Sequence, residues 1–141
     1  MEENKEPPST IKAVMNTPVV TTDPSSTVRH AAEIMSEKHI GCIVVTEKEK
    51  LLGMLTERDV VEKVVAVGLD PSKAEVKKIM AQPLVTVDEG SSIIEAIRIM
   101  RKNNIRRLPV LRNGKLVGIV TERDLLRAMA LHALISFRPI L

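Results

Sequence analysis

Aromatic side chains are almost absent from this sequence of 141 residues, which contains one Phe and neither Trp nor Tyr. Proteins that bind single-stranded nucleic acid usually stack the bases on aromatic side chains, so the composition argues against that function. Cysteine is equally scarce, because Cys42 is the only one. An internal disulfide is therefore excluded, and a reducing cytoplasm is the expected compartment.

Long hydrophobic runs are also missing, although 44% of the residues are hydrophobic. No apolar run reaches the roughly 18 residues that a membrane-spanning helix requires. Residues 1–6 (MEENKE) are polar and mainly acidic, which does not fit a signal peptide. The chain is long enough to bury a hydrophobic core, either as one domain or as two packed half-domains.

The usual signatures of catalysis and of metal binding are missing as well. The sequence has no recognisable nucleophile–base pair, glycine-rich dinucleotide loop or Walker A motif. His39 and Cys42 have a spacing that occurs in metal sites, but no second pair completes such a site. We therefore expect no catalytic residue, no metal and no cofactor, and we expect that the protein is not an enzyme.

The sequence does contain an internal repeat, with a constant offset of 65 residues and no gap. Residues 53–59 read GMLTERD and residues 118–124 read GIVTERD, and the same offset relates Met15 to Met80. A repeat that covers almost the whole chain predicts two copies of one supersecondary unit. We expect the copies to pack about a pseudo-two-fold axis and to leave two equivalent clefts as candidate functional sites.

Each copy is predicted to fold as β-α-β-β-α, which places the protein in the α/β class. A short strand at residues 19–21 and a turn at residues 23–26, ending in a helix N-cap signal, precede an apolar stripe of helical spacing. Two strand-like runs follow at residues 42–45 and 51–55, and then a helix from about residue 57 to residue 67. In the second copy the apolar stripe recurs at Ile93, Ala96, Ile97 and Met100. The two strands recur at residues 108–111 and 116–120, with a hairpin signal at Asn113-Gly114 between them. The last helix recurs at about residues 122–134.

The repeat divides the chain into four segments: a polar tail (1–10), motif 1 (11–70), motif 2 (71–131) and an apolar C-terminal tail (132–141). A short helix is expected at residues 73–80, where motif 2 begins. The apolar tail either extends the last helix over the protein's own core or forms a dimer or partner surface. The apolar residues concerned are Leu131, Leu134, Ile135, Phe137, Ile140 and Leu141.

The formal charge of +3 is unevenly distributed along the chain. Residues 12–70 carry a net charge of −2, whereas residues 75–131 carry +5. The basic surface of motif 2 is either a solvated helix face or a site for a phosphate-bearing ligand near Arg106 and Arg107.

The repeated Thr-Glu-Arg-Asp segment follows a strand and starts a helix. Thr56 as N-cap and Asp59 as third residue of the helix form a capping box, which by itself explains these residue types. A helix N-terminus also favours phosphate, and a carboxylate in its first turn can accept hydrogen bonds from a ribose diol. Gly53 and Gly118 allow the neighbouring backbone to approach closely. The capping role and a ligand-binding role are therefore compatible.

With these motifs the sequence resembles the tandem cystathionine β-synthase (CBS) domain pair, or Bateman module, over about residues 10–131. The resemblance rests on the doubled Gly-x-x-Thr-x-x-Asp pattern, on residues 104–110 (NIRRLPV) and on the Met-x-x-Pro starts at Met15 and Met80. It implies a regulatory module that binds AMP, ADP, ATP or a related adenosyl ligand such as S-adenosylmethionine between its two motifs.

The resemblance also implies site residues in two clefts. In one cleft Asp59 would hold the ribose hydroxyls and Thr56 would contact the ribose or phosphate. In the other cleft Asp124 and Thr121 would have the same roles. The opposing walls would be formed by Ile105, Arg106 and Arg107 across from Asp59, and by Ile40 and Gly41 across from Asp124.

The two clefts are expected to differ, because Gly41 and Cys42 stand where motif 2 has Arg106 and Arg107. We hypothesise that the cleft containing Asp59 holds the more phosphorylated or tighter ligand, since guanidinium groups pair well with phosphate. The expected partners are an adenosine nucleotide, a second copy of the chain and an effector protein in trans. A structural or interaction module with vestigial clefts is the main alternative, and nucleic-acid binding through the basic motif 2 is less favoured.

Overall fold

A computed structural model describes residues 9–82 and 84–136 of the chain. Within these ranges a π-helical segment follows α3 directly. The order of elements is α1 (Ile11–Val14), β1 (Thr21–Thr22), α2 (Val28–Lys38), β2 (Cys42–Glu47), β3 (Lys50–Thr56), α3 (Glu57–Val60), the π-helix (Val61–Val65), α4 (Val76–Ile79), β4 (Val87–Asp88), α5 (Ile93–Asn103), β5 (Arg107–Arg112), β6 (Lys115–Thr121) and α6 (Glu122–Ser136).

The described residues form two three-stranded sheets, with orders β1-β2-β3 and β4-β5-β6. In each sheet the first pair of strands is parallel and the second pair is antiparallel. The registers repeat with the offset of the sequence, since Val45 pairs with Gly53 and Val110 pairs with Gly118. The predicted α/β class and the doubled β-α-β-β-α order are confirmed.

The chain forms two compact units, which do not follow the order of the repeat. The β1–β3 unit comprises Val19–Leu84, and the β4–β6 unit combines the described residues up to Pro18 with those from Val85 onward. Helix α1 therefore belongs to the β4–β6 unit and α4 belongs to the β1–β3 unit. Residues 1–8 of the expected polar tail lie outside the described residues.

Helices α2 and α5 bury the apolar stripes that their spacing predicts. Val28, Ala31 and Met35 are buried on α2, and Ile93, Ala96 and Met100 are buried on α5. The N-cap of α2 is Thr27, whose hydroxyl accepts the N–H of His30 at 3.1 Å. The predicted cap signal at Ser26 is thus one residue early, because Ser26 instead belongs to the turn that follows Asp23.

Both β-hairpins close with two central residues in the left-handed region. Asn113 and Gly114 have φ values of 49° and 78°, which confirms the predicted hairpin turn. The equivalent residues of the first hairpin, Lys48 and Glu49, adopt φ values of 50° and 65° without a glycine. The first turn is therefore the more strained of the two.

The helix predicted over residues 57–67 is present, but only its first turn is α-helical. It begins as α3, changes to π-helical hydrogen bonding at Val61 and ends before Gly68, which has a φ of 78°. β-branched residues lower helix propensity, and this segment is rich in valine. Its counterpart α6 contains Leu, Met and Ala at comparable places and is α-helical throughout. The linker helix α4 is also shorter than the predicted span of residues 73–80.

The Met-x-x-Pro segments near the starts of motifs 1 and 2 pair with β6 and β3, respectively. Asn16 exchanges backbone hydrogen bonds with Ile119 in one unit, and Ala81 does the same with Met54 in the other. A Cβ on Gly118 would lie 2.6 Å from Met15 Sδ, and a Cβ on Gly53 would lie 2.5 Å from Met80 Sδ. The predicted close approach of backbone is found at Gly53, where the added Cβ would also lie 3.0 Å from the carbonyl oxygen of Ala81. At Gly118 the three nearest atoms all belong to the side chain of Met15 instead.

The C-terminal residues extend α6 as far as Ser136. Leu131, Leu134 and Ile135 are 46%, 72% and 48% exposed, so these three do not cover the core of their unit. Phe137, Ile140 and Leu141 lie outside the described residues. In the described part of the chain, no helix has both the length and the apolar character needed to cross a membrane.

Candidate functional site

The β1–β3 unit places Thr56 and Asp59 at the point where β3 passes into α3. The backbone N–H and the hydroxyl of Thr56 donate to Asp59 Oδ2 at 2.9 and 3.0 Å, and the N–H of Asp59 donates to Thr56 Oγ1 at 3.2 Å. These bonds form the predicted capping box, which is therefore confirmed. The carboxylate of Asp59 is consequently held in one orientation.

The β4–β6 unit repeats this arrangement where β6 passes into α6. Asp124 Oδ2 accepts the backbone N–H of Thr121 at 3.1 Å and its hydroxyl at 2.8 Å. The N–H of Asp124 donates to Thr121 Oγ1 at 3.2 Å. Both motif acids are thus fixed by local hydrogen bonds that leave their second carboxylate oxygen, Oδ1, outside the capping box.

The two Oδ1 atoms have different surroundings. Lys63 Nζ lies 3.1 Å from Asp59 Oδ1 and also donates to the carbonyl oxygen of Ile79 at 3.2 Å. In the other unit Asn16 Nδ2 donates to Asp124 Oδ2 at 2.8 Å, so it shares the oxygen that Thr121 already uses. Among the described residues no hydrogen bond or ion pair reaches Asp124 Oδ1. Asp124 therefore has the greater remaining capacity to accept hydrogen bonds.

The helix starts offer fewer backbone donors than the sequence indicates. The N–H of Glu57 donates to the carbonyl of Gly41 at 3.0 Å, and the N–H of Glu122 donates to that of Arg106 at 2.8 Å. The third N–H of each helix is used in the capping box. A phosphate near these helices would therefore depend mainly on side-chain cations.

The other predicted site residues lie near the start of the helix that carries the motif acid of their own unit. Ile40 and Gly41 follow His39, which ends α2 with a φ of 54°, and Gly41 bonds to the start of α3. Ile105 and Arg106 occupy the equivalent place after α5 and beside the start of α6. The structure thus brings Ile40 and Gly41 together with the Thr56–Asp59 motif, and Ile105, Arg106 and Arg107 together with the Thr121–Asp124 motif. The expectation that Arg106 and Arg107 lie across from Asp59, and Ile40 and Gly41 across from Asp124, stays a prediction.

An open hollow of about 740 Å³ lies beside the start of α6, within the β4–β6 unit. Arg107 pairs with Thr121 across the β5–β6 ladder and reaches this hollow together with Arg106. A smaller hollow of about 180 Å³ adjoins it through Arg106 and is lined by Ile105. Further lining residues of the larger hollow are Glu122, Arg123, Leu126, Arg127 and Ala130.

Sequence reasoning missed four polar residues of these sites. Lys63 could have been found, because it is four residues after Asp59 and therefore on the same helix face. Arg123 and Arg127 have the same spacing on α6. Asn16 gave no signal, since its contact with Asp124 joins residues that are 108 positions apart. Among the described residues no group of three or more His, Cys, Asp or Glu side chains could hold a metal ion.

Comparison with known proteins agrees with the doubled architecture. The family model of the CBS domain matches residues 11–66 and 76–131. Hypoxic response protein 1 of Mycobacterium tuberculosis is 37% identical over 130 residues, which cover 92% of this chain and 91% of that protein. A protein of Methanopyrus kandleri is 44% identical over 111 residues, which are 77% of this chain and 57% of that longer protein.

Two solved structures share the fold. The crystal structure of Hypoxic Response Protein I with two coordinated zinc ions has a TM-score of 0.75 and 38% identity, and the match covers 84% of this chain and 97% of that one. The CBS domain pair of protein MJ0100, in complex with 5′-methylthioadenosine and S-adenosyl-L-methionine, has a TM-score of 0.78 and 26% identity. That match covers 86% of this chain and 95% of the other.

Proposed function

Since this chain belongs to the CBS domain family, we propose that it is a regulatory module that binds an adenosine nucleotide or a related adenosyl ligand. The observation that carries the proposal is the pair of oriented carboxylates, Asp59 and Asp124, each held by its own capping box with one oxygen directed away from it. The complex of the MJ0100 domain pair with two adenosyl compounds supports this ligand class.

In the proposed complex the motif acids recognise the ribose. A carboxylate oxygen that is fixed and still able to accept hydrogen bonds can bind the two hydroxyls of a ribose, as acidic residues do in dinucleotide sites. Asp124 Oδ1 is available for this role, whereas Asp59 Oδ1 already pairs with Lys63, which competes with the ribose. The threonines contribute by orienting the acids, and Ile40 and Ile105 offer aliphatic contacts next to the two motifs.

Arg106 and Arg107 are proposed to bind the phosphate of the ligand. Both line the hollow beside α6, and within the described residues Arg107 has no ion-pair partner. Coupling between aspartate and arginine variants in ATP binding will show whether Asp59 or Asp124 contacts the same ligand molecule as these arginines. Our hypothesis that the ligand at Asp59 is the more phosphorylated one stays a prediction.

The output of the module is proposed to be a change of assembly or of partner binding rather than a reaction. A ligand that favours one conformation shifts the population towards it by its difference in affinity. The exposed apolar side chains of α6, such as Leu134, are a suitable surface for a homodimer or an effector protein.

Calorimetric titration and thermal melts with AMP, ADP, ATP, S-adenosylmethionine and 5′-methylthioadenosine test this function. Saturable binding to the folded state should raise the melting temperature in proportion to the logarithm of ligand concentration. GTP, which carries guanine in place of adenine, is the control for recognition of the base. Equal, non-saturating responses to all nucleotides would contradict the proposal.

A second candidate function is a protein-interaction module without ligand sites. It is favoured by the capping boxes, which account for Thr56, Asp59, Thr121 and Asp124 without any ligand. This alternative predicts that no adenosyl compound stabilises the fold, while a change in oligomeric state or a partner is still found.

The Lys63→Met variant is expected to bind the adenosyl ligand up to about five times more tightly at the Asp59 site. Lys63 pairs with the carboxylate oxygen that the ribose needs, and a partly exposed ion pair of this kind contributes at most about 1 kcal/mol. Calorimetry measures the change. Lys77→Met is the matched control, because Lys77 pairs with Glu75 at 3.0 Å outside the site. An unchanged affinity in Lys63→Met would show that the ligand does not displace this lysine.

A further inference from the structure

The hollow beside the start of α6 has an unusual concentration of positive charge. Arg107 reaches it from the first position of β5 and Arg106 from the residue before that strand, and Arg123 and Arg127 reach it from consecutive turns of α6. Among the described residues Glu122 is the only acid that lines it, and its Oε2 lies 3.9 Å from Arg106 Nε. Grouped guanidinium groups repel one another unless an anion lies between them. The described side chains leave most of this charge without a counterion.

The internal repeat provides a comparison for this hollow within the same protein. The equivalent surface of the β1–β3 unit lacks the basic character, because Arg58 there pairs with Glu62 at 2.7 Å. The five charged lining residues of the β4–β6 hollow sum to a formal charge of +3, and their counterparts in the repeat sum to −1. In order, the counterparts of Arg106, Arg107, Glu122, Arg123 and Arg127 are Gly41, Cys42, Glu57, Arg58 and Glu62.

We infer that the hollow is a subsite for an oligophosphate chain, and that Arg123 and Arg127 determine its preference for nucleoside di- and triphosphates over monophosphates. The inference rests on the proposed function and specifies the ligand. About 740 Å³ falls in the range of roughly 300–1,000 Å³ that is usual for small-molecule sites. Two of the first three backbone N–H groups of α6 are already bonded, so the guanidinium groups supply the donors for the phosphate oxygens.

Arg127 is the most informative position, because the repeat itself offers the opposite charge there. It lies on the exposed face of α6, in the turn after Arg123, and its counterpart is Glu62. One guanidinium that donates to phosphate strengthens binding by roughly tenfold or more. On this inference Arg127 contacts the phosphates beyond the first, so reversal of its charge should weaken the triphosphate selectively.

The experiment titrates AMP, ATP and inorganic tripolyphosphate into the full chain and into the variants Arg127→Glu, Arg127→Gln and Arg123→Gln. We expect Arg127→Glu to weaken ATP and tripolyphosphate by at least about tenfold and AMP by less than about threefold. The glutamine variants should show a smaller effect of the same kind. Arg98→Glu is the matched control, since Arg98 lies on α5 of the same unit, pairs with Glu95 and does not line the hollow. Melting temperatures in buffer check that each variant is folded.

An unchanged ratio of ATP to AMP affinity in all three variants, together with unchanged tripolyphosphate binding, would overturn the inference and leave adenosyl binding intact. An equal effect of Arg98→Glu on ATP affinity would overturn it too, because the net charge of the whole unit, rather than a contact with Arg127, would then explain the loss. Tripolyphosphate binding that depends on Arg127, in a protein that takes up no adenosyl compound, would keep the oligophosphate site and refute the proposed function. Tighter binding of a short single-stranded oligonucleotide than of ATP would replace the oligophosphate reading by a nucleic-acid site.

Discussion

Replacement of both Asp59 and Asp124 by alanine is expected to abolish adenosyl-ligand binding within the accessible concentration range. Each carboxylate is proposed to accept two hydrogen bonds from a ribose, and the loss of a charged acceptor weakens binding by about 100-fold per site. Calorimetric titration of the double variant with AMP, ATP and S-adenosylmethionine measures the effect. The single variants should each remove one site and leave the other.

The same substitutions also break the capping boxes, which lowers stability by about 1 kcal/mol for each helix. Thr27→Ala and Ser92→Ala control for this effect. Thr27 and Ser92 cap α2 and α5 through hydrogen bonds to His30 and Glu95 and have no proposed ligand role. Both control variants should have a lower melting temperature but bind the adenosyl ligand with the affinity of the parent protein. A folded double aspartate variant that still binds with the affinity of the parent protein would refute the ribose sites.

The single variants further show which acid shares a ligand with the arginines. The effects of Arg127→Glu and of an aspartate substitution on ATP affinity add when the two residues serve different ligands. They couple when both contact the same molecule. Coupling with Asp59 would support the cross-motif arrangement expected from the family resemblance, whereas coupling with Asp124 would place ribose and phosphate recognition in one unit.

Gly53→Ala is expected to have the largest effect on stability, with a loss of about 1–3 kcal/mol. The added Cβ would lie 2.5 Å from Met80 Sδ and 3.0 Å from the carbonyl oxygen of Ala81. The methionine can rotate, but the Ala81 carbonyl is bonded to the N–H of Met54 and is less free to move. Gly118→Ala should cost less, because the atoms near it all belong to the side chain of Met15. Urea denaturation measures both variants.

A double-mutant cycle with Met80→Ala separates this steric cause from an effect of glycine on the unfolded chain. Removal of the Met80 side chain makes space for the new Cβ, so Gly53→Ala should cost clearly less in that background. Gly90→Ala is the control, since the atom nearest to a Cβ added at Gly90 would be Oδ1 at the end of the Asp88 side chain, at 3.2 Å. Additive costs of Gly53→Ala and Met80→Ala would rule out the steric explanation.

Local chemistry explains why some features could be predicted from the sequence. The apolar stripes of α2 and α5, the Asn113-Gly114 turn and the capping box of Thr56 all depend on residues close together in the chain. The change to π-helical hydrogen bonding after Val60 was missed because the charged and apolar spacing of a helix continues through it. The weak helix propensity of consecutive valines changes the hydrogen bonding without changing that spacing.

By itself the sequence determined that this protein is built from two β-α-β-β-α motifs and that each motif starts its last helix with a threonine and an aspartate. Repetition and local capping are enough for that conclusion. Only the tertiary structure decided what surrounds the two acids. It placed Asn16, which is 108 positions away in the chain, on Asp124, and it gathered four arginines from two separate segments around one of the two helix starts. The physical reason is that the repeat preserves backbone geometry, whereas the contacts that distinguish the sites come from segments that are distant in sequence or from surface positions at which the two copies have diverged.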